Sequence, residues 1–206
     1  MSNSALQSEI ITVAKLLRDS SLSIPIYQRP YKWLPKHVDQ LFDDIATHKD
    51  KSAYRLGTLV LHKTSNRSKE VHDIVDGQQR TLTLLLIVNA LVDLIDRGQK
   101  EVSFDTRVEL DTIRRLMIRP KFSNAISQHN IRINYQVIYR RVARPEFNED
   151  AIIFMLHRCE MVCVTLDDIS EAFQFFDAQN ARGRDLAPHD LLKAYHLRKF
   201  CGDDEL

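Results

Sequence analysis

The sequence has few cysteines, few glycines and no long apolar run. Its 206 residues include three cysteines, too few for the disulfide framework of a small secreted protein. No stretch approaches the roughly 20 consecutive apolar residues that span a bilayer. Residues 1–9 lack the basic and then apolar pattern of a signal peptide. We therefore expect a cytoplasmic protein with no membrane partner.

The cysteines and histidines also lack the spacing of a zinc site. Cys159 and Cys163 form no CxxC pair, and no HxxxH motif is present to complete a tetrahedral set of ligands. We expect both thiols to lie in the core, and we expect no resident metal site.

The net charge of +1 excludes a uniformly basic nucleic-acid binder. The distribution is uneven, because eleven Lys or Arg stand against four Asp or Glu between Arg97 and Pro145. Such an excess indicates either a surface that faces phosphates or the solvated faces of helices. The sequence alone leaves both interpretations open.

The apolar pattern predicts an α+β fold, with a small sheet mainly in the first half and mostly helices in the second. Strands are expected at 56–62 and 71–75, joined by a polar loop over 63–70, with a returning strand near 161–166. Residues 10–17 fit either a helix or a short strand that runs into one. Helices are expected from Pro35, from Arg80 to Gly98, and over 104–118, 134–142, 149–158, 171–178 and 189–200. We expect one domain over 1–206, with the sheet and a buried helix in 1–100 and a mostly helical part in 101–206.

The most informative segment is the DGQQR motif, residues 76–80, between a predicted strand and a predicted buried helix. The N–H groups and the positive dipole at a helix N-terminus can hold an anion, and phosphate is the natural one. Gly77 lets the backbone approach closely, Gln78 and Gln79 offer amide donors, and Arg80 can make a bidentate contact. Asp76 can orient water, a ribose hydroxyl or a metal ion. The alternative is a plain Asp-Gly turn whose neighbours cap the helix, and spacing alone does not decide.

A second segment, IPIYQRPYKW at 24–33, combines three aromatic residues, two cations and an amide. Aromatic rings beside arginine or lysine can stack on bases and hold phosphates. Tyr31 and Trp33 are therefore candidates for contact with a base. The alternative for both is packing on the helix that follows.

A third segment, FDAQNARGRDL at 176–186, ends a predicted helix in a polar loop with two arginines around a glycine. Asn180 and Gly183 suit the positive φ of a helix end, so part of this segment is a helix stop. Arg182 and Arg184 can then point into a site.

Taken in order, these motifs resemble the DGQQR-bearing N-terminal domain of GmrSD-type modification-dependent restriction enzymes. The patterns IPxYQRxYxW, a GxxxL strand, IxDGQQRxxTL and FxxxNxRGxxLxxxDLLK follow one another within residues 10–198. The resemblance implies a ParB/sulfiredoxin-like core. It also implies NTP binding or hydrolysis, coupled to the sensing of modified phage DNA and to control of an HNH-type nuclease.

The resemblance assigns roles to the residues that match the family's motifs. The implied phosphate or nucleotide ligands are Gly77, Gln78, Arg80, Tyr27, Gln28, Arg29, Asn180, Arg182 and Gly183. The implied base contacts are Tyr31 and Trp33, and the implied catalytic residues are Asp76, Gln79 and Arg80. The expected cofactor is an NTP, with Mg²⁺ as its companion ion.

This sequence departs from the family pattern in two ways. Ala187 stands where Ser or Thr usually begins the helix after the third motif, which weakens the expected N-cap. Only six residues follow Phe200, so we expect the HNH nuclease to be a separate domain or subunit. The leading hypothesis is a nucleotide-binding regulatory domain, and the sequence leaves open whether it also hydrolyses the NTP. The alternative is a non-catalytic module that recognises DNA phosphates or modified bases.

Overall fold

The computed structural model describes residues 7–25, 29–66 and 69–172, which form a sheet and the helices that pack on it. The strands are β1 Gln7–Thr12, β2 Leu22–Ser23, β3 Tyr54–Asn66, β4 Lys69–Asp76 and β5 Cys159–Leu166. The helices are α1 Val13–Arg18, α2 Pro35–His48, α3 Gln78–Asp96, α4 Phe104–Leu116, α5 Ala125–Val142 and α6 Glu149–His157. The predicted α+β class is confirmed.

The five-stranded sheet is mixed, with the order β1-β5-β3-β4-β2. The central strand β3 pairs parallel with β5 and antiparallel with β4. Its register shifts between Arg55 and Gly57 and again between Val60 and Leu61. Such bulges bend a strand locally, and the first one lies at Gly57, beside the site described below.

Helix α3 is the centre of the core, as its apolar sequence predicted. Leu84, Ile87 and Leu91 have no exposed surface, and α3 packs against α4 and α5. The helix is long and apolar enough to cross a membrane, but 67% of its apolar window is buried inside the protein. It is therefore a core helix.

The structure corrects two predicted boundaries. Helix α5 begins at Ala125 and not near 134, because its first half carries polar residues that hide the apolar period. Strands β3 and β4 extend through most of the predicted loop at 63–70, since a polar sequence does not prevent backbone pairing. Residues 10–17 are a strand that runs into a helix, one of the two expected alternatives.

The predicted returning strand is β5, and its two cysteines are buried as expected. Desolvation raises the pKa of Cys159 to about 12. It is also the largest cause of the raised pKa of Cys163, which is about 11. Both thiols are therefore unreactive core groups at neutral pH. The predicted helix at 189–200 and most of that at 171–178 lie outside the described residues.

The carboxylate of Glu149, in the first turn of α6, holds the start of α4. It accepts hydrogen bonds from the Ser103 N–H, at 3.1 Å to each oxygen, and from the hydroxyls of Ser103 and Thr106. The Ser103 hydroxyl first, and then that of Thr106, lowers the pKa of this carboxyl. A pKa lowered by folding stabilises the protein above the unfolded carboxyl pKa, and this stability is lost as pH falls through the folded value.

The substitution Glu149→Gln should lower the free energy of unfolding at pH 7 by about 1 kcal/mol, because charge-assisted bonds become neutral ones. It should also make stability less sensitive to pH below about 4. Urea unfolding at pH 7 and pH 3 measures both effects. Asp150→Asn removes a carboxylate from the same helical turn and serves as the control. Equal behaviour of the two variants at both pH values would contradict the role of Glu149.

Candidate functional site

The DGQQR motif joins the end of β4 to the start of α3, as predicted. Asp76 ends the strand, Gly77 turns the chain with φ 90°, and Gln78 begins the helix. A Cβ at Gly77 would lie 2.9 Å from Leu59 Cδ1 and 3.2 Å from the Thr58 carbonyl oxygen. Glycine is therefore required for both the backbone conformation and the close approach to β3.

The amides of Gln78 and Gln79 bind the backbone of residues 29–33, which we name the aromatic strap. Gln79 accepts from two strap N–H groups, so its oxygen is fully used. The bonds run from Gln78 Nε2 to Arg29 O (3.1 Å), from Gln79 Nε2 to Pro30 O (3.1 Å), and to Gln79 Oε1 from Lys32 N (2.7 Å) and Trp33 N (3.2 Å). Both glutamines were expected to donate to phosphate, but their amides bond instead to the backbone of the strap. The strap lies outside the sheet, so its buried N–H and C=O groups need such partners.

Helix α5 holds the strap from its other side. Three of its polar residues stand at helical spacing i, i+3 and i+7, and the first two lie on the part of the helix that was not predicted. Ser127 Oγ accepts from Tyr31 N (2.9 Å), Asn130 donates to Tyr31 O (2.9 Å), and Asn134 donates to Trp33 O (2.7 Å). The spacing of these polar side chains was the signal that could have revealed this face.

Tyr31 is a structural residue, and its expected contact with a base is not supported. Its side chain has no exposed surface, so a base has no ring face on which to stack. Its hydroxyl lies 2.8 Å from Thr83 Oγ1 and accepts from Asn134 Nδ2 at 3.1 Å. Burial raises the pKa of this hydroxyl, and the alternative interpretation, packing, describes Tyr31.

Arg80 is the cation of the site. Its side chain is half-buried, and within the described part of the chain it makes no hydrogen bond or ion pair. Desolvation lowers the pKa of Arg80, whereas the charge of Asp76 opposes that shift. An arginine stays protonated, so its charge is partly desolvated and has no bonded carboxylate among the described residues. This is the environment of an anion site.

Arg80 and Trp33 line two adjacent cavities. The first, the motif cavity, has a volume of about 330 Å³ and is lined by Arg29, Thr58, Val75 and the motif residues 76–80 together with Trp33. The second, the α2 cavity, has a volume of about 210 Å³ and is bounded by α2 and the start of β3. Arg80 therefore lies where the two cavities meet.

A larger cavity, of about 540 Å³, lies between α2 and the start of α6, away from the motif. Its half-buried cation, Arg141, already pairs with Asp39 and Asp43 and lies 5.3 Å over the Phe42 ring. Because this charge is already neutralised, the cavity is a weaker candidate than the pair at Arg80.

The structure brings together the predicted residues Arg29, Trp33 and 76–80 around the motif cavity. Tyr27, Gln28, Asn180, Arg182 and Gly183 lie outside the described residues, so their expected roles stay predictions. In the described ranges no group of three His, Cys, Asp or Glu can hold a metal ion. Asp76 is the carboxylate within the motif itself.

The basic stretch from Arg97 to Pro145 is less positive in space than in sequence. Arg107 and Arg114 pair with Asp96, and Arg114 also pairs with Asp93. Both acids precede the stretch, and so do Asp39 and Asp43, the partners of Arg141. The count of charges in the sequence therefore overstates the positive charge that this surface can offer to phosphates.

The substitution Gly57→Ala tests the space that Arg80 occupies. Gly57 has φ 127°, and a Cβ there would lie 2.9 Å from Arg80 Nη1. We expect a loss of about 3 kcal/mol in the free energy of unfolding, from backbone strain and the displaced side chain. Gly98→Ala, at φ 67° with no atom within 4 Å of the new Cβ, should lose about 1 kcal/mol. Equal losses in urea unfolding would show that Arg80 does not occupy this space.

Comparison with known proteins agrees with the motif order. Residues 13–197 match the family model described as the N-terminal domain of the GmrSD restriction endonuclease. Among curated proteins, no sequence matches the chain. The match covers the aromatic strap, the motif and the third segment, and it places the chain in the context of DNA restriction and phage defence. The chain belongs to the family of GmrSD restriction endonuclease N-terminal domains.

Proposed function

We propose that the chain binds a nucleoside triphosphate with its phosphates in the motif cavity, and that binding regulates a restriction nuclease. The observation that carries this proposal is the half-buried guanidinium of Arg80, which has no bonded carboxylate within the described residues. A cation in this state gains most from an anion that can accept its parallel N–H groups. Phosphate has that geometry.

The backbone beside Arg80 supports the same ligand. The first N–H groups of α3 lack partners within the helix, and the positive end of its dipole faces the motif cavity. Gly77 presents no side chain between this helix end and the cavity. Phosphate oxygens can therefore approach the backbone and Arg80 together.

The carboxylate of Asp76 is suited to coordinate Mg²⁺. In nucleotide sites this ion is commonly held by one or two carboxylates together with the phosphates and water, so one carboxylate is enough. The ion would neutralise charge on the phosphates. In hydrolysis, Arg80 would stabilise charge that develops on the transferred group. Gln79 is reassigned from catalysis to positioning, because its amide holds the strap.

The strap connects the motif cavity to α3 and α5, so it can transmit a conformational change from the cavity to the rest of the domain. Arg29 and Trp33 line the motif cavity, while the backbone between them is bound by α3 and α5. A ligand that moves Trp33 therefore acts on two helices at once. We propose that an HNH-type nuclease domain or subunit responds to this change, with modified DNA as the second ligand.

The substitution Arg80→Ala should weaken nucleotide binding roughly 10-fold to 100-fold, the effect of losing charge-assisted hydrogen bonds. Isothermal titration calorimetry with ATP, GTP, CTP and UTP, each with Mg²⁺, measures the dissociation constants. Arg55→Ala is the control, because Arg55 lies on the neighbouring strand and pairs with Glu160. Unchanged affinity in Arg80→Ala would contradict the proposal.

Salt dependence separates this proposal from DNA binding. Affinity for duplex DNA should fall steeply as salt rises, because bound counterions are released. A nucleotide held in a cavity should respond less. The ion pairs that neutralise Arg107, Arg114 and Arg141 argue against a DNA-binding surface there.

A further inference from the structure

The α2 cavity has walls of a different kind from the motif cavity. Trp33 and Tyr54 supply aromatic walls, while Leu41 and Leu56 make the floor of the cavity apolar. The polar groups come from one side, since His37, Gln40 and Asp44 follow one another along α2. Apolar walls with a few polar groups at one edge are typical of sites for planar ring systems.

The side chains of this cavity are held in place by neighbours. The Tyr54 ring stacks on His48 with centroids 4.0 Å apart and planes at 12°. Burial first, and then the charge of Asp44, raises the pKa of the Tyr54 hydroxyl. His37 Nδ1 accepts from the Leu34 N–H at 2.9 Å, so the neutral imidazole carries its proton on Nε2. These contacts fix two walls of the cavity.

Size limits what the α2 cavity can hold. Its volume of about 210 Å³ is smaller than the roughly 300–1,000 Å³ typical of sites for drug-sized molecules. A ring system fits this space better than a whole nucleotide does. Arg80 and Trp33 line this cavity and the motif cavity alike, so one ligand can occupy both.

We propose that the α2 cavity is the base subsite of the nucleotide whose phosphates lie in the motif cavity. This inference rests on the proposed function. The base packs between Trp33 and Tyr54, its polar edge faces Asp44 and Gln40, and Arg80 lies between base and phosphates.

The chemistry of Asp44 sets the preferred base. An ionised carboxylate only accepts hydrogen bonds, so it favours an edge that presents donors. Guanine offers two adjacent donors, N1–H and the 2-amino group, to the two oxygens of one carboxylate. Adenine places an acceptor beside its amino group, and uracil places its one donor between two acceptors. The α2 cavity therefore favours guanine nucleotides.

Calorimetry on the full chain tests the subsite with GDP, ADP, UDP and inorganic tripolyphosphate as separate probes. Wild type should bind GDP most tightly. Asp44→Asn should weaken GDP binding about 10-fold or more, the value of a bidentate contact to a base, and should leave tripolyphosphate binding unchanged. Gln40→Ala should weaken GDP binding less. Asp43→Asn, a carboxylate on the same helix that faces Arg141, is the control and should leave both unchanged.

The other outcomes separate the two proposals. If tripolyphosphate binds but the three nucleotides bind equally in wild type and Asp44→Asn, the base subsite is wrong and the phosphate site stands. If Asp44→Asn weakens GDP and tripolyphosphate alike, Asp44 supports the fold and the subsite is again wrong. If no probe binds, both proposals fail.

Discussion

The site depends on hydrogen bonds between the side-chain amides of Gln78 and Gln79 and the backbone of the aromatic strap. The strap lies outside the sheet, so its N–H and C=O groups need partners that regular structure does not provide. The first turn of α3 supplies them from one side and α5 from the other. Because α3 is itself the centre of the core, the strap is fixed directly to the core. Trp33, the only tryptophan in the chain, is thereby placed in the walls of both cavities.

Two glycines determine the position of the Arg80 side chain. Gly77 brings the start of α3 against β3, and Gly57, at a bulge in β3, leaves room for the guanidinium of Arg80. The neighbouring carboxylate, Asp76, lowers the cost of burying this charge without bonding to it. Arg80 thus lies between two cavities of different chemistry, one beside a helix N-terminus and one lined by aromatic rings.

The local part of this arrangement was predictable from the sequence, and the long-range part was not. A β-branched run, Asp-Gly and an apolar helix specify the strand, the turn and the buried α3, because each is set by residues close in sequence. The partners of Gln78 and Gln79 lie some 50 residues away, and an amide written in a sequence does not indicate whether it will bind phosphate or backbone. Tyr31 was ambiguous for the same reason, since its partners on α5, Ser127 and Asn134, lie about 100 residues away.

The most direct test of the strap is hydrogen exchange at the backbone amides of Lys32 and Trp33, whose acceptor is Gln79 Oε1. Both amides should exchange slowly in the wild type. In Gln79→Ala both should exchange at least 10-fold faster, while the Tyr31 amide, bonded to Ser127, keeps most of its protection. Gln99→Ala, which removes an exposed amide that accepts from Tyr139, should change neither rate. Fast exchange of Lys32 and Trp33 in the wild type, or rates unchanged in Gln79→Ala, would contradict the account.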